Sequence, residues 1–246
     1  MTDNFSPSAS TIVAKDSKSN EHAVSDFAIS EYLSKPFKIE LTVISKNFVI
    51  DDQLGQKLSI TRFVNDTDNL TATRVFNGIV TQVQLLGMDS NLQYSSYRVT
   101  LRPWFWLLKH THSFRVYQTQ STKDIVSDVL TQAGFSGSFK AGTMPSSKRE
   151  YCVQYDESDF DFVTRLLAEE GVHYFFQHSD SDHLMMLQDA QSPFQKSDAS
   201  KLDMIEVPSG SNPLLDKWMP QSQFHGASIE LTSYDYSQTK LVSSKE

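Results

Sequence analysis

The stretch Tyr151–His178, YCVQYDESDFDFVTRLLAEEGVHYFFQH, decides how the chain folds. Its first residues, Tyr151 to Tyr155, predict a strand. Ser158 or Asp156 then stands where a helix needs a cap. Phe160, Val163 and Leu167, with Phe162 and Leu166 beside them, recur at helical spacing and make one apolar face. Gly171 is placed to end that helix, because glycine takes the left-handed conformation without a steric penalty. VHYFFQH and HLMMLQD follow as paired strands around the turn SDSD.

The same stretch holds the only cysteine, two of seven histidines and six carboxylates, so it is also the first place to look for catalysis. Asp156, Glu157, Asp159 and Asp161 surround the helix start, where unpaired N–H groups favour negative charge by about 0.3–1 kcal/mol each. An acid/base pair would instead require two carboxyl groups converging on one pocket. Glu169 and Glu170 stand at the opposite end, where negative charge is mildly unfavourable. Glu169 can pair with Arg165 one turn earlier. Glu170 has no local partner, which leaves solvation or a contact with another segment or subunit. Cys152 suits a small buried side chain, and no histidine is placed beside it to activate a nucleophile.

Outward from this stretch the chain is mainly β. In FKIELTV, Phe37, Ile39, Leu41 and Val43 alternate with polar residues, which is the pattern of a half-buried strand with Pro36 at its start. KLSITRFV alternates as well, and Asn77-Gly78 within RVFNGIVTQVQLLG predicts a turn or bulge. Tyr97, Val99 and Leu101 share one face before the aromatic run Trp104, Phe105, Trp106, which suits a core or an interface and offers a stacking platform for sugars. In STKDIVSDVLTQAGF, Ser121 and Asp124 form a weak capping box, and Gly134 and Phe135 supply the stop. Gly137 to Lys148 reads as a loop. His110 and His112 would share one face of a strand, and His173 and His178 lie on opposite faces; without HExxH or CxxC spacing no metal is expected, and no cofactor.

The fold class predicted is α+β, mainly β: a barrel-like antiparallel domain, an α/β segment carrying two helices, and the start of a second barrel-like domain. The expected boundaries are a flexible polar N-terminus at 1–25, the first barrel at 26–109, and the α/β segment at 110–200 with helices near 122–133 and 158–170. A linker and first strands of an incomplete second barrel follow at 201–246. A net charge of -8 without a basic run argues against nucleic acid as a partner. No apolar run approaches membrane-spanning length, so stable membrane insertion is not expected. MTDNFSPSAS lacks the basic start and apolar stretch of a secretory signal.

In order, SEYLSKPFKIELTVIS, FNGIVTQVQ, YRVTLRPWFWLL, REYCVQYDESDFDFVTRLLAEEGVHYFF and LLDKWMPQSQFHGASIELTSYDYS resemble the N-terminal hub region of VgrG proteins. These are spike proteins of type VI secretion systems, similar in fold to the hub of contractile phage tails. The resemblance spans roughly residues 26–236 and is most specific in the REYCVQY–ESDF–EEG–YFF series. It implies a homotrimer presenting a pseudo-sixfold ring to a hexameric tube protein, with baseplate components and effector or spike-tip proteins as further partners. It also implies a non-enzymatic role, cytoplasmic assembly, and export through the type VI apparatus without a signal peptide. Family members usually continue into an OB-fold and a needle, so this chain is expected to lack both. Glu169, Glu170, Trp104 and Trp106 are the candidate residues for a subunit or tube interface. The alternatives carried beside this reading are an acid-dyad carbohydrate or cell-wall hydrolase using Asp156, Glu157 or Glu170, and a sugar-binding module built on Trp104 and Trp106.

Overall fold

The computed structural model describes residues 12–66, 69–88 and 93–189, and within the C-terminal part 203–204, 214–215, 219–222, 228, 230–235 and 239–245. Strands β1 (Ile12–Lys15), β2 (Glu21–Tyr32), β3 (Lys35–Ser45), β4 (Lys57–Asp66), β5 (Asn69–Met88) and β6 (Ser95–Arg102) close an antiparallel barrel in the order β1-β2-β3-β6-β5-β4. A single turn, α1 (Ile50–Gln53), bridges β3 and β4. The period-two pattern of β3 does what it predicts: Phe37, Ile39, Leu41 and Val43 are all buried, and meet Val99, Leu101, Leu58 and Ile60 inside the barrel.

Two expectations fail in the barrel for identifiable reasons. Residues 12–25, where the cluster Ile12, Val13, Ala14 allows one short strand, form β1, a turn and the start of β2, so the barrel begins at 12 and not at 26. Val13 and Ala14 are buried in β1, which pairs with both β2 and β4 and so closes the barrel. The polar residues that suggested flexibility build the β1–β2 turn: the Asp16 carboxylate accepts from the Lys18 N–H (2.9 Å), the Asn20 N–H (2.8 Å) and Asn20 Nδ2 (2.9 Å). Residues 1–11 lie outside the described residues. Asn77-Gly78 makes neither a turn nor a bulge. Strand β5 keeps its register through it, and the irregularities fall on either side, opposite Arg62/Phe63 before it and at Val80/Gln82 and Leu85/Gly87 after it. Gly78 is required by proximity, since a Cβ there would lie 2.9 Å from Leu101 Cβ and 3.2 Å from the Phe37 ring.

Beyond the barrel come the short helix α2 (Trp104–Leu107), a 3-10 turn (Leu108–His110), β7 (His112–Ser121), α3 (Thr122–Gln132), β8 (Phe139–Ala141), β9 (Lys148–Ser158), α4 (Asp159–Glu169), β10 (Val172–His178) and β11 (His183–Asp189). Ser121 and Asp124 cap α3 reciprocally, and Ser158 caps α4 by accepting from the Asp161 N–H. Gly134 (φ +89°) and Gly171 (φ +67°) take the left-handed stops. The Gly137–Lys148 stretch is not wholly a loop: β8 lies parallel to β11, and Gly142 donates to the Leu187 carbonyl (2.8 Å). Both helices bury Ile125, Val129, Phe162 and Leu166 in a second core.

The barrel and this second core meet through Phe176, a Ser34 N–H to Tyr174 carbonyl bond (2.8 Å), the Lys57–Asp182 ion pair (2.6 Å) and one buried polar residue. Asn77, buried in β5, donates through Nδ2 to the carbonyls of Ser179 (2.8 Å) and Asp182 (2.7 Å). Its Oδ1 lies 2.9 Å from His183 Nδ1, and its backbone N–H donates to His178 Nδ1 (3.2 Å). His183 Nε2 accepts from the Trp104 N–H (3.1 Å), so barrel wall, hairpin and helix start share one hydrogen-bonded relay. Phe37 wedges beside it, with ring centroids 5.2 Å from Phe176, 4.9 Å from His178 and 5.2 Å from His183.

Residues Ser197–Glu246 form a separate compact unit. Its described strands are β12 (Asp203–Met204) parallel to β13 (Leu214–Leu215), and β14 (Glu230–Asp235) antiparallel to β15 (Lys240–Lys245). Pro208 and Pro213 lie outside the described residues.

Asn77→Ala is expected to cost about 2–4 kcal/mol, because it strands buried partners on three segments. Gly78→Ala should cost about 1–3 kcal/mol by forcing β5 from β6. Urea denaturation followed by far-UV circular dichroism reads both; unchanged midpoints would refute this account of the joint.

Candidate functional site

The carboxylates of α4 and its flanks are engaged by arginines and caps. Asp159 is buried at the helix start and receives Arg115 Nη1 (2.5 Å), Gln154 Nε2 (2.7 Å) and Thr111 Oγ1 (3.0 Å). Burial pushes its carboxyl up, but the bonds from Arg115, Gln154 and Thr111 together hold it below the usual carboxylate range. Asp161 accepts from Ser158 Oγ (2.6 Å), and Glu157 receives Arg165 Nη2 (2.6 Å). Asp156 is exposed, with φ +50°, where β9 bulges against β7. No two of these acids are set facing one another across a pocket.

Glu170, the residue without a local partner, is answered by a distant one. Arg149 at the start of β9 spreads its guanidinium over both glutamates: Nη1 to Glu169 Oε2 (2.6 Å), Nη2 to Glu170 Oε1 (2.8 Å). Its Nε donates to Thr122 Oγ1 (2.9 Å), and that hydroxyl donates in turn to Glu170 Oε1 (2.9 Å). The last turn of α4 contains no basic residue of its own, so Arg149 supplies the cation that a helix C-terminus favours and ties α4 to the start of α3. Glu169 also receives Arg165 Nη1 (3.0 Å). Burial raises its carboxyl, but the two arginines outweigh this and keep it below the usual range.

The aromatic candidates divide. Trp104 is 3% exposed, its ring stacked on Phe135 at 4.4 Å, so it presents no face to a sugar or a subunit. The aromatic run suits a core as well as an interface, and Trp104 takes the place in the core. Trp106 is half-buried between Arg102 (5.4 Å) and His110 (5.1 Å). His110 sits on the 3-10 turn and His112 begins β7, so they share no strand face. Cys152 is buried against the second core, and burial pushes its thiol up, away from the reactive thiolate.

One surface was missed. Strands β7 and β9 form a two-stranded ribbon whose inward side chains, Tyr117, Cys152 and Gln154, are buried. Along its middle the outward positions Phe114, Val116, Gln118, Tyr151, Val153 and Tyr155 form an uncharged strip, flanked on β9 by the exposed charges Lys148, Glu150 and Asp156. Phe114 is 69% and Tyr155 75% exposed, their rings edge to face at 5.5 Å. Two non-glycine residues of the ribbon, Thr119 and Asp156, have positive φ. The available signal was FRVYQTQ, where apolar residues occupy both faces of a strand, as in strands covered on two sides.

Comparison with known proteins agrees with this geometry. The phage tail baseplate hub (GPD) family matches residues 30–246. The type VI secretion system spike protein VgrG1b of Pseudomonas aeruginosa is 35% identical over 215 residues, covering 84% of this chain and 28% of the relative. VgrG1c of the same organism is 38% identical over 162 residues, 65% of this chain and 22% of the relative. The chain thus spans about a quarter of the length of these relatives. Among solved structures, the E. coli c3393 protein, a component of the type VI secretion system with structural similarity to the T4 tail proteins gp27 and gp5, superposes with a TM-score of 0.62. The identity is 22%, over 91% of this chain and 56% of that one. A chain of the Francisella PdpA–VgrG complex (half-lidded) has the same fold at a TM-score of 0.53 and 12% identity, over 74% of this chain and 31% of that one. With its mainly β fold and its spike-protein relatives, the chain belongs to the phage tail baseplate hub family.

Proposed function

We propose that this chain is a non-enzymatic hub unit of a type VI spike, in which three copies close a ring that seats the spike on a hexameric tube. Baseplate components, and effector or spike-tip proteins borne by the spike, are its further partners. It assembles in the cytoplasm and leaves through the secretion apparatus. The observation that carries this reading is the uncharged strip along the outward face of the β7–β9 ribbon. Each copy has a net charge of -8, so like-charged copies meet at least cost through a strip that bears no charge. A cyclic assembly needs such a patch on every subunit. The interface role moves from Trp104 and Glu170, whose side chains are spent inside the chain, to Phe114, Val116, Tyr151 and Tyr155.

The hydrolase alternative is weakened because Glu157, Asp159, Asp161, Glu169 and Glu170 each serve a cap or an arginine. The sugar-binding alternative loses its platform with Trp104 in the core.

Light scattering after size exclusion should give the mass of three copies, and co-elution with tube-protein hexamers. Phe114→Glu with Tyr155→Glu should return a folded monomer; a parent that is monomeric at high concentration and ignores the tube would refute the ring. Glu170→Gln should cost about 1–3 kcal/mol by leaving Arg149 half-paired, with no glycan or peptidoglycan turnover before or after. Turnover in the parent that is lost in Asp156→Asn, Glu157→Gln or Glu170→Gln would establish the hydrolase instead.

A further inference from the structure

The relay at Asn77 admits only one arrangement of protons. The Trp104 N–H points at His183 Nε2 (3.1 Å), so that nitrogen must offer a lone pair and Nδ1 must carry the hydrogen. Nδ1–H then donates to Asn77 Oδ1 (2.9 Å), which leaves Asn77 Nδ2 to donate to Ser179 and Asp182, as it does. The Asn77 N–H points at His178 Nδ1 (3.2 Å), so the hydrogen of His178 sits on Nε2, 3.6 Å from Glu31 Oε1. Each imidazole thus turns a bare nitrogen to a backbone N–H, and both side chains are buried, with ring centroids 6.0 Å apart.

A second proton on either ring breaks this arrangement. On His183 it would set an N–H against the Trp104 N–H; on His178 it would set one against the Asn77 N–H. We propose that the joint is a proton-operated latch, closed while His183 is neutral and opened when His183 takes a second proton, so that the β10–β11 hairpin parts from the barrel.

The charges around the rings permit this. His183 faces Asp182 on its own hairpin, with Nδ1 to Oδ1 at 4.0 Å, and Asp182 is already paired with Lys57 of β4 (2.6 Å). The remaining groups packed against it are His178 of β10, Asn77 of β5, the Trp104 N–H, and the rings of Phe37 and Phe176. His178 faces Glu31 of β2, and Glu31 is 3.7 Å from Arg74 of β5; Phe37 and Phe76 cover the ring. Burial first, then the neighbouring His178, push His183 from 6.5 down to about 4. The sign follows: the open state binds the proton more tightly, so the latch is fully held above about 6.5 and weakens as pH falls toward about 4. Carboxylates held low by their partners, such as Asp159 and Asp182, lose their contribution only at more acid pH, below their ordinary range.

The test is amide hydrogen exchange on the full chain at about pH 7.5 and about pH 5, corrected for intrinsic rates. Protection of the Asn77 and Trp104 amides, relative to those of α3, should fall by about 30-fold at the lower pH. His183→Gln keeps a donor for Asn77 and an acceptor for Trp104 without titrating, and should hold the ratio flat. A constant ratio in the parent, or an equal fall in the variant, would overturn the latch. Should the variant not fold, NMR titration of the His183 ring in the parent decides: an ordinary histidine pKa in the folded chain would also overturn it.

Discussion

A buried asparagine side chain is the polar centre of the joint between the two halves of the N-terminal unit. Asn77 stands in the barrel wall, yet its donors and acceptor are satisfied by the hairpin of the α/β segment, and His183 passes the chain of bonds on to the start of α2. Buried polar groups of this kind cost several kcal/mol if left unpaired, so they specify one docking geometry where an apolar contact would tolerate sliding. The apolar contacts then fit around it. Phe176 packs against both cores, Phe37 fills the gap beside the histidines, and Gly78 lets β5 and β6 approach closely enough for the wall to close.

The rest of the α/β segment is built on its own apolar core, and two arginines tie the ends of its helices together. Arg149 joins the end of α4 to the beginning of α3, and Arg115 holds Asp159 beneath the α4 start. Of the acidic residues that looked like catalytic candidates, Glu170 is the counter-ion of Arg149 and Glu157 that of Arg165, while Asp156 stands exposed at the bulge of β9. What remains free is the ribbon's outer face, on the side of β7 and β9 turned away from the core.

Local features were legible in the sequence because their partners are close in the chain. Ser121 with Asp124, Ser158 with Asp161, the glycine stops and the alternation of β3 are contacts within a few residues, or faces set by a fixed period. The joint was not legible, because its partners are far apart: Asn77 and His183 are separated by 106 residues, Trp104 and His183 by 79. Asn-Gly therefore looked like a turn, since nothing nearby explained an asparagine beside a glycine within a strand. Residues 12–25 were misjudged for a related reason: Asp16 and Asn20 spend their polarity on each other in a tight turn, while Val13 and Ala14 reach across to β4. At Glu170 the sequence posed the question correctly, and Arg149, 21 residues upstream, answered it.

The account stands or falls on the protonation pattern of two rings. A long-range nitrogen–proton correlation spectrum of the histidine side chains at neutral pH reads which nitrogen carries the hydrogen. It should show His183 protonated on Nδ1 alone and His178 on Nε2 alone. A hydrogen on His183 Nε2 would leave the buried Trp104 N–H without an acceptor and would contradict the joint on which the fold is built.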